Sequence, residues 1–311
     1  MSTVEIVEER WRTTLGVTVR GVDGQEPDRR EVIRARRILR AEVDQLEIVA
    51  SRFRPDSQLS EVNRGAGDWV PVGSELVELV EVALAAAEAT DGLVDPCLGR
   101  QVDAAGYRSW EAAEVGVLPT DAATAHPGAW REVAVAPCRV RIPSGVALDL
   151  GATAKAWLAD EVAERIAEET GLDVVANMGG DLRAISHADS WVLTADHEVP
   201  GMSVRQVEVT DAGLATSGQG RRRWLTSLGP AHHIIDPRTG RSARTSWWAV
   251  SALAASATSA NVAATAGMLL DDRGPAWFAA HGLDGVFTAW SGTGAANAQH
   301  VGRWPGMGTA A

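Results

Sequence analysis

The sequence predicts an α+β fold in which antiparallel and mixed sheets are flanked by helices. Three observations lead there. Segments with a helical spacing of apolar residues and short β-branched runs follow one another in mixed order, without the βα alternation that builds a doubly wound parallel sheet. Of the 311 residues, 45% are hydrophobic and 23% charged, the balance of a soluble globular chain long enough to bury a core. No internal repeat or linker-like stretch interrupts the chain before its end, so 1–291 reads as a single domain. The small, polar, Gly-rich stretch 292–311 reads as a mobile tail.

The elements follow in order. "VTVRGVDGQ" alternates and breaks at Gly24, which predicts an opening strand and turn. From Pro27 to Val49, Val32, Leu39, Val43 and Leu46 share one side and arginines the other, which predicts a helix. A second helix is expected from Ser74, read as its N-cap, to Thr90, where Asp91 and Gly92 stop it. A third spans Ala152 to Thr170 and ends at Gly171. The runs "DVVAN", "SWVLTA", "VRQVEVT" and "GVFTAW" predict strands. Helix returns near Thr258 and continues through Leu270; a short one starts at Pro275, a favoured first-turn residue, and stops by Gly282.

Charge and cysteine usage narrow the function classes. A net charge of −12 argues against nucleic acid as a partner, because such binding relies on neutralising phosphates with a basic face. Arg221, Arg222 and Arg223 form one local basic patch, read as a solvated strand edge. Cys97 and Cys138 fit no zinc spacing and no CxxC pair, and read as two buried thiols. The first residues carry acids and lack an apolar run, and no stretch reaches the roughly 18–20 apolar residues of a spanning helix. A cytoplasmic protein without membrane insertion is expected.

Several segments are too specialised for packing alone. "SRFRPDSQLSEVNR" is dense in turn formers after a helix, and in "TDGLVDPCLG" two acids bracket a Gly turn. In "NMGGDLR", Gly179 and Gly180 follow a strand, where their amides can form an anion-binding nest, and Asp181 beside them can accept from hydroxyls or an amide. "HHIIDPRTG" offers His233 as an acid or base and Asp236 as a neighbour to orient it, although "DPRTG" alone is an ordinary turn. Ser217 lacks the GxSxG surroundings of a hydrolase nucleophile. Asn261 and Thr265 stand four apart on a predicted helix, so both oxygens lie on one face, as a hard cation such as magnesium would need. Lys155 is the only lysine in the chain. It falls in the first turn of the third helix, where free amides favour anions and an ammonium adds a point charge suited to phosphate.

Taken in order, "DSQLSEVN", "TDGLVDP", "LDLGATAKA", "NMGGDLR", "LATSG", "HHIIDPRTG" and "ANVAAT" resemble the FAD:protein FMN transferases, the ApbE-type flavin transferase family, over roughly Thr13 to Phe287. The resemblance implies the α+β fold of that family. It also implies an enzyme that binds FAD, cuts its pyrophosphate, moves FMN onto a Ser or Thr hydroxyl of an acceptor protein, and releases AMP. Phe53 stands where the family places an aromatic against the flavin, Leu15 where a methionine is common, and Leu93, Val94 and Asp95 in the flavin-contacting segment. Asp149 and Lys155 match contacts around the adenosine diphosphate part; Asn63, Gly179, Gly180, Asp181, Ser217, His233 and Ile235 complete the implied cofactor contacts. Ala152, by its backbone carbonyl, with Asn261 and Thr265 matches the Mg2+ ligands, and His233 the base toward the acceptor hydroxyl, with Asp236 as its catalytic partner.

The chain departs from the family where "ANVAAT" replaces the usual "ADALAT", putting neutral Asn261 in place of the metal-binding aspartate. "DLGA" for "DLGG" is a milder change. A third expected departure is the absence of an export signal, so any acceptor is expected to be cytoplasmic or the cytoplasmic face of a membrane complex. Two other readings stay open at this point: an FAD-binding protein without transfer, and a pyrophosphatase giving FMN and AMP.

Overall fold

The computed structural model describes residues 2–22, 24–108, 124–199, 202, 205–220, 222–226, 229–294 and 296–304. Its α-helices are α1 (Arg29–Ala50), α2 (Gln58–Arg64), α3 (Ser74–Ala89), α4 (Gly99–Ala104), α5 (Ala154–Thr170), α6 (Ala257–Leu270) and α7 (Gly274–Ala280). The chain separates into two compact units, one of 1–43, 155–218 and 245–311 and the other of 44–154 and 219–244. Of the four chain boundaries between them, those at 43/44 and 154/155 fall inside α1 and at the start of α5, so composition carries no mark of these two.

The first unit is built on an eight-stranded sheet: β1 (Val4–Arg10), β2 (Thr13–Arg20), β3 (Asp173–Met178), β4 (Leu182–Ile185), β5 (Asp211–Gly218), β6 (Trp247–Ala254), β7 (Asp284–Ala289) and β8 (Asn297–Val301). Strand order in the sheet is chain order, and every neighbouring pair is antiparallel. Alternation makes β2 a strand with one apolar face: Leu15, Val17 and Val19 are buried. Helix α6 packs on β5 and β6. Half of its buried residues are alanine and one is Gly267, which brings backbone close to backbone. Gly213 on β5 makes that approach feasible, since a Cβ there would stand 2.0–2.2 Å from the backbone of Ser256 and Ala257. A hairpin of Trp191–Ala195 and Arg205–Val209 adds Trp191, Leu193, Val207 and Val209 to a core that also holds Trp304.

The tail therefore departs from expectation. Residues 297–301 pair with β7 as an edge strand, and the Trp304 indole N–H donates to the Gln206 carbonyl at 3.1 Å; residues 305–311 lie outside the described residues. The open edge of β7 supplies the ladder that Gly-rich composition hides.

The second unit contains α2, α3 and α4 with small sheets. Val70–Pro71, Arg139–Arg141 and Ala134–Ala136 form a three-stranded one; Arg223–Thr226 pairs with Gly229–His232, and Ile235–Asp236 with Arg241–Ser242. Two expectations are corrected here. Ser74 is the first helical residue of α3, and its N-cap is Gly73, whose amide donates to Gln58 Oε1 at 2.7 Å. Both cysteines are free, but only Cys97 is buried; Cys138 is exposed at the bend between Ala134–Ala136 and Arg139–Arg141, with φ of 54°. Among the described residues no helix is long and apolar enough to cross a membrane.

Candidate functional site

In the first unit, three motifs that are distant in sequence meet at one carboxylate. Strands β3 and β4 are joined through Gly179 and Gly180 at φ of 72° and 104°, a backbone that L side chains rarely adopt. Gly180 N–H donates to Asn177 Oδ1 at 2.8 Å and Met178 N–H to the Asp181 carbonyl at 2.8 Å, which closes the turn and buries Asp181. The Gly180 amide is thus committed inside the turn, and the anion nest expected of this pair is not formed through it. Lys155 Nζ donates to Asp181 Oδ2 at 2.7 Å, and Asn261 Nδ2 to Asp181 Oδ1 at 2.7 Å. Lys155 lies in the first turn of α5, as the sequence predicts, and also reaches the Met178 carbonyl at 3.5 Å.

One turn along α6 from Asn261, Thr265 Oγ1 shares a hydrogen bond of 2.8 Å with Ser217 Oγ on β5. The remaining polar atom of Asn261, Oδ1, is buried with no hydrogen-bond partner among the described residues. What fixes α6 against α5 is Asp160, a residue that no sequence motif singles out. Its carboxylate accepts from Ala257 N–H at 2.7 Å, Thr258 N–H at 2.9 Å and Thr258 Oγ1–H at 2.7 Å, and so caps the α6 N-terminus from another helix. Leu15 is 0% exposed beside β3, paired with Met178. Its surface is covered by protein, and it packs as part of the core.

In the second unit, Phe53 stands in a cluster of rings and cations. The Arg52 guanidinium lies 4.2 Å over the Phe53 ring and bonds to Asp149 Oδ2 at 2.8 Å and Asp103 Oδ1 at 2.6 Å. It also donates to the Tyr107 carbonyl. Phe53 meets Tyr107 edge-on at 5.5 Å, and Tyr107 stacks on Trp224 at 5.7 Å. Ile235 is buried in the apolar cluster against which Tyr107 and Trp224 pack. Arg222 of the basic patch is 5.8 Å over the Tyr107 ring, so it packs on an aromatic face; Arg221 lies outside the described residues. Sequence reasoning passed over Arg52, Tyr107 and Trp224, though Tyr107 is the only tyrosine in the chain.

Asn63 uses both ends of its amide to pin the segment before Asp149: Nδ2 donates to the Leu148 carbonyl at 3.0 Å, and Oδ1 accepts from Leu148 N–H at 2.7 Å. Asp149 Oδ1 accepts from Gly151 N–H at 2.7 Å, and Ala152 follows, exposed, just before α5. Val94 is buried, and Leu93 beside it is half-buried. Asp95 caps a short 3-10 helix by accepting from Cys97 N–H at 2.8 Å, and burial raises its carboxyl above the ordinary value. His233 is half-buried. His232 is buried, and its Nε2 lies 2.9 Å from the Ala243 carbonyl; burial lowers its pKa. Both Asp236 oxygens are engaged by Arg238, at 2.8 and 2.9 Å, within the turn that "DPRTG" forms.

A family model described as the ApbE family matches residues 11–287. The chain belongs to the ApbE family. An FAD:protein FMN transferase of Treponema pallidum is 31% identical over 250 residues, 73% of this chain and 69% of that protein. An FAD:protein FMN transferase of Vibrio cholerae is 28% identical over 73% of this chain and 70% of its own length. Among solved structures, the apo flavinyl transferase ApbE of Pseudomonas stutzeri superposes with a TM-score of 0.82 at 22% identity, covering 96% of this chain and 95% of its own. The ApbE protein of Thermotoga maritima gives 0.80 at 25% identity, covering 96% and 97%. The mixed helix and antiparallel sheet seen here is thus the ApbE fold, as the sequence motifs implied.

Proposed function

We propose that this chain is an FAD:protein FMN transferase. It transfers the FMN part of FAD to a Ser or Thr hydroxyl of an acceptor protein as a phosphoester and releases AMP. The observation that carries the reading is the junction of Lys155, Asp181 and Asn261. The motifs "LDLGATAKA", "NMGGDLR" and "ANVAAT", far apart in sequence, meet through two contacts of 2.7 Å. Curated relatives that match nearly three-quarters of the chain carry this activity in their names.

Phosphoryl transfer asks a protein mainly for positioning and for positive charge at the phosphates. Lys155 supplies a compact cation at the start of α5, and His233 takes the proton of the attacking hydroxyl. The new bond joins the acceptor oxygen to the FMN phosphorus; the bond to the AMP oxygen breaks, and AMP leaves with that electron pair. Phe53, Leu93, Val94 and Asp95 are assigned to the flavin and Asp149 to the adenosine diphosphate part.

The residues present fit a magnesium ion. Among the described residues no group of three or more His, Cys, Asp or Glu side chains is placed to hold a metal, so a carboxylate- or imidazole-rich site is not what is offered. Asn261 and Thr265 offer neutral oxygens, suited to a hard cation, and Asn261 Oδ1 is buried without a hydrogen-bond partner among the described residues. Mg2+ held there would supply further charge to the pyrophosphate.

Incubation with FAD, Mg2+ and a peptide bearing a Ser or Thr acceptor tests the proposal. Covalent flavin on the peptide with stoichiometric AMP is expected. Free FMN and AMP without labelled peptide would make the chain a pyrophosphatase, and unchanged FAD would make it a binding protein.

A further inference from the structure

We infer that Asp181 is a positioning residue that turns the Asn261 carbonyl oxygen into a cation ligand. This deepens the reading above and rests on it. A side-chain amide has two ends of nearly equal shape and opposite chemistry, since the oxygen accepts and the NH2 donates. The Asp181 carboxylate, ion-paired with Lys155 at 2.7 Å, only accepts. The Asn261 amide therefore sits with Nδ2 against Asp181 Oδ1, 2.7 Å away, because the flipped amide would set oxygen against oxygen. The consequence is the position of the other end: Oδ1 is held in a residue 9% exposed, with no hydrogen-bond partner among the described residues. A buried acceptor left in that state costs free energy until something occupies it. Thr265, four residues on, places a hydroxyl on the same side of α6. A neutral amide is a weaker magnesium ligand than a carboxylate. The relay from Lys155 through Asp181 offsets this in part by leaving the oxygen no other orientation.

The test uses Mn2+ alone, titrated into the full chain and followed by loss of the free-ion electron paramagnetic resonance signal. Asp181→Asn is expected to weaken binding by about tenfold or more, as loss of an outer partner does at other metal sites. In an Asn261→Asp background the ligand has two equivalent oxygens and needs no orienting. There, adding Asp181→Asn should leave Mn2+ affinity unchanged or raise it, since it removes a like charge at contact distance. Equal losses in both backgrounds would overturn the inference, because Asp181 would then act through charge or direct ligation.

Asn261→Leu keeps Asp181 and should lose Mn2+ binding as well. Retained affinity there overturns the inference even if Asp181→Asn does not fold. Absence of Mn2+ binding by the unaltered chain overturns it too. FAD binding in EDTA, read by flavin fluorescence, separates the two failures: FAD bound with the Mn2+ pattern wrong rejects the inference alone, and FAD unbound rejects the transferase reading.

Discussion

An ammonium has three N–H donors, and among the described residues Lys155 directs two of them at Asp181 and the Met178 carbonyl. One remains for a phosphate oxygen. A planar guanidinium would spread its donors over a wider fork and could not take the same three directions from one nitrogen, which explains a lysine in a chain that otherwise uses arginine. Lys155→Ala should therefore weaken FAD about ten- to hundredfold, the range of a charge-assisted hydrogen bond, and riboflavin far less. Equal losses for both ligands in fluorescence titrations would dismiss the phosphate role. Asn261→Asp puts a formal charge where the family has one, and calorimetry should show Mg2+ binding tighter with FAD binding intact. No gain in metal affinity would mean that Asn261 does not face the ion.

At the scale of elements, the position of Asn261 depends on α6, and that of α6 depends on Asp160. Its carboxylate meets two backbone amides that helix geometry leaves without partners. Asp160→Ala strips those amides of their acceptor, and a loss of about 2–4 kcal/mol is expected, seen as a lower urea midpoint. Asp160→Asn, which keeps one acceptor oxygen, should lose less. A fall under about 0.5 kcal/mol for the alanine variant would show that water replaces the cap. The same scale explains which elements were legible. The long helices announce themselves by period, and the strands Asp173–Met178 and Asp284–Ala289 by short runs with β-branched or aromatic residues. Strand β6 shows no period, because Ala249, Val250, Ser251 and Ala252 are buried in succession, and two of those four are alanines that carry little strand signal. Strand β5 is equally obscure: Ala212 to Ala215 are buried in succession, among them a glycine that exists for the close approach of α6.

The whole molecule carries a pH dependence from two buried groups. His197 bonds through its two ring nitrogens to Thr288 Oγ1 and Ser251 Oγ at 2.6 Å each, and burial lowers its pKa to about 4. An unfolded histidine titrates near 6.5, so between those values the unfolded chain binds the proton that the folded chain refuses. Stability is then complete above about pH 6.5 and falls toward pH 4 by on the order of 3 kcal/mol. His197→Gln should flatten that limb in denaturation curves taken across pH. An unchanged slope would show that His197 is not its source.

A second limb follows below it. Burial alone pushes Asp173 up, yet hydrogen bonds from the His187 N–H and ring, Ser186 and Arg20 outweigh burial and hold its carboxyl below the ordinary value. Its contribution is present above the unfolded carboxylate pKa and is lost as pH falls through the folded one, so Asp173→Asn should remove the steepest acid loss below about pH 4.

The sequence by itself determined the α+β class, the long helices and the motifs that mark the family, including the residues gathered at the candidate site. Those features are local: a period, a turn residue, or a short string whose chemistry does not depend on distant chain. Only the tertiary structure decided that Asp181 joins Lys155 to Asn261, that Asp160 seats α6, that Leu15 is sealed in the core and that part of the tail is a strand. Each of these depends on a partner far along the chain, which burial and a hydrogen bond of the right length select, and no local pattern encodes which partner that is.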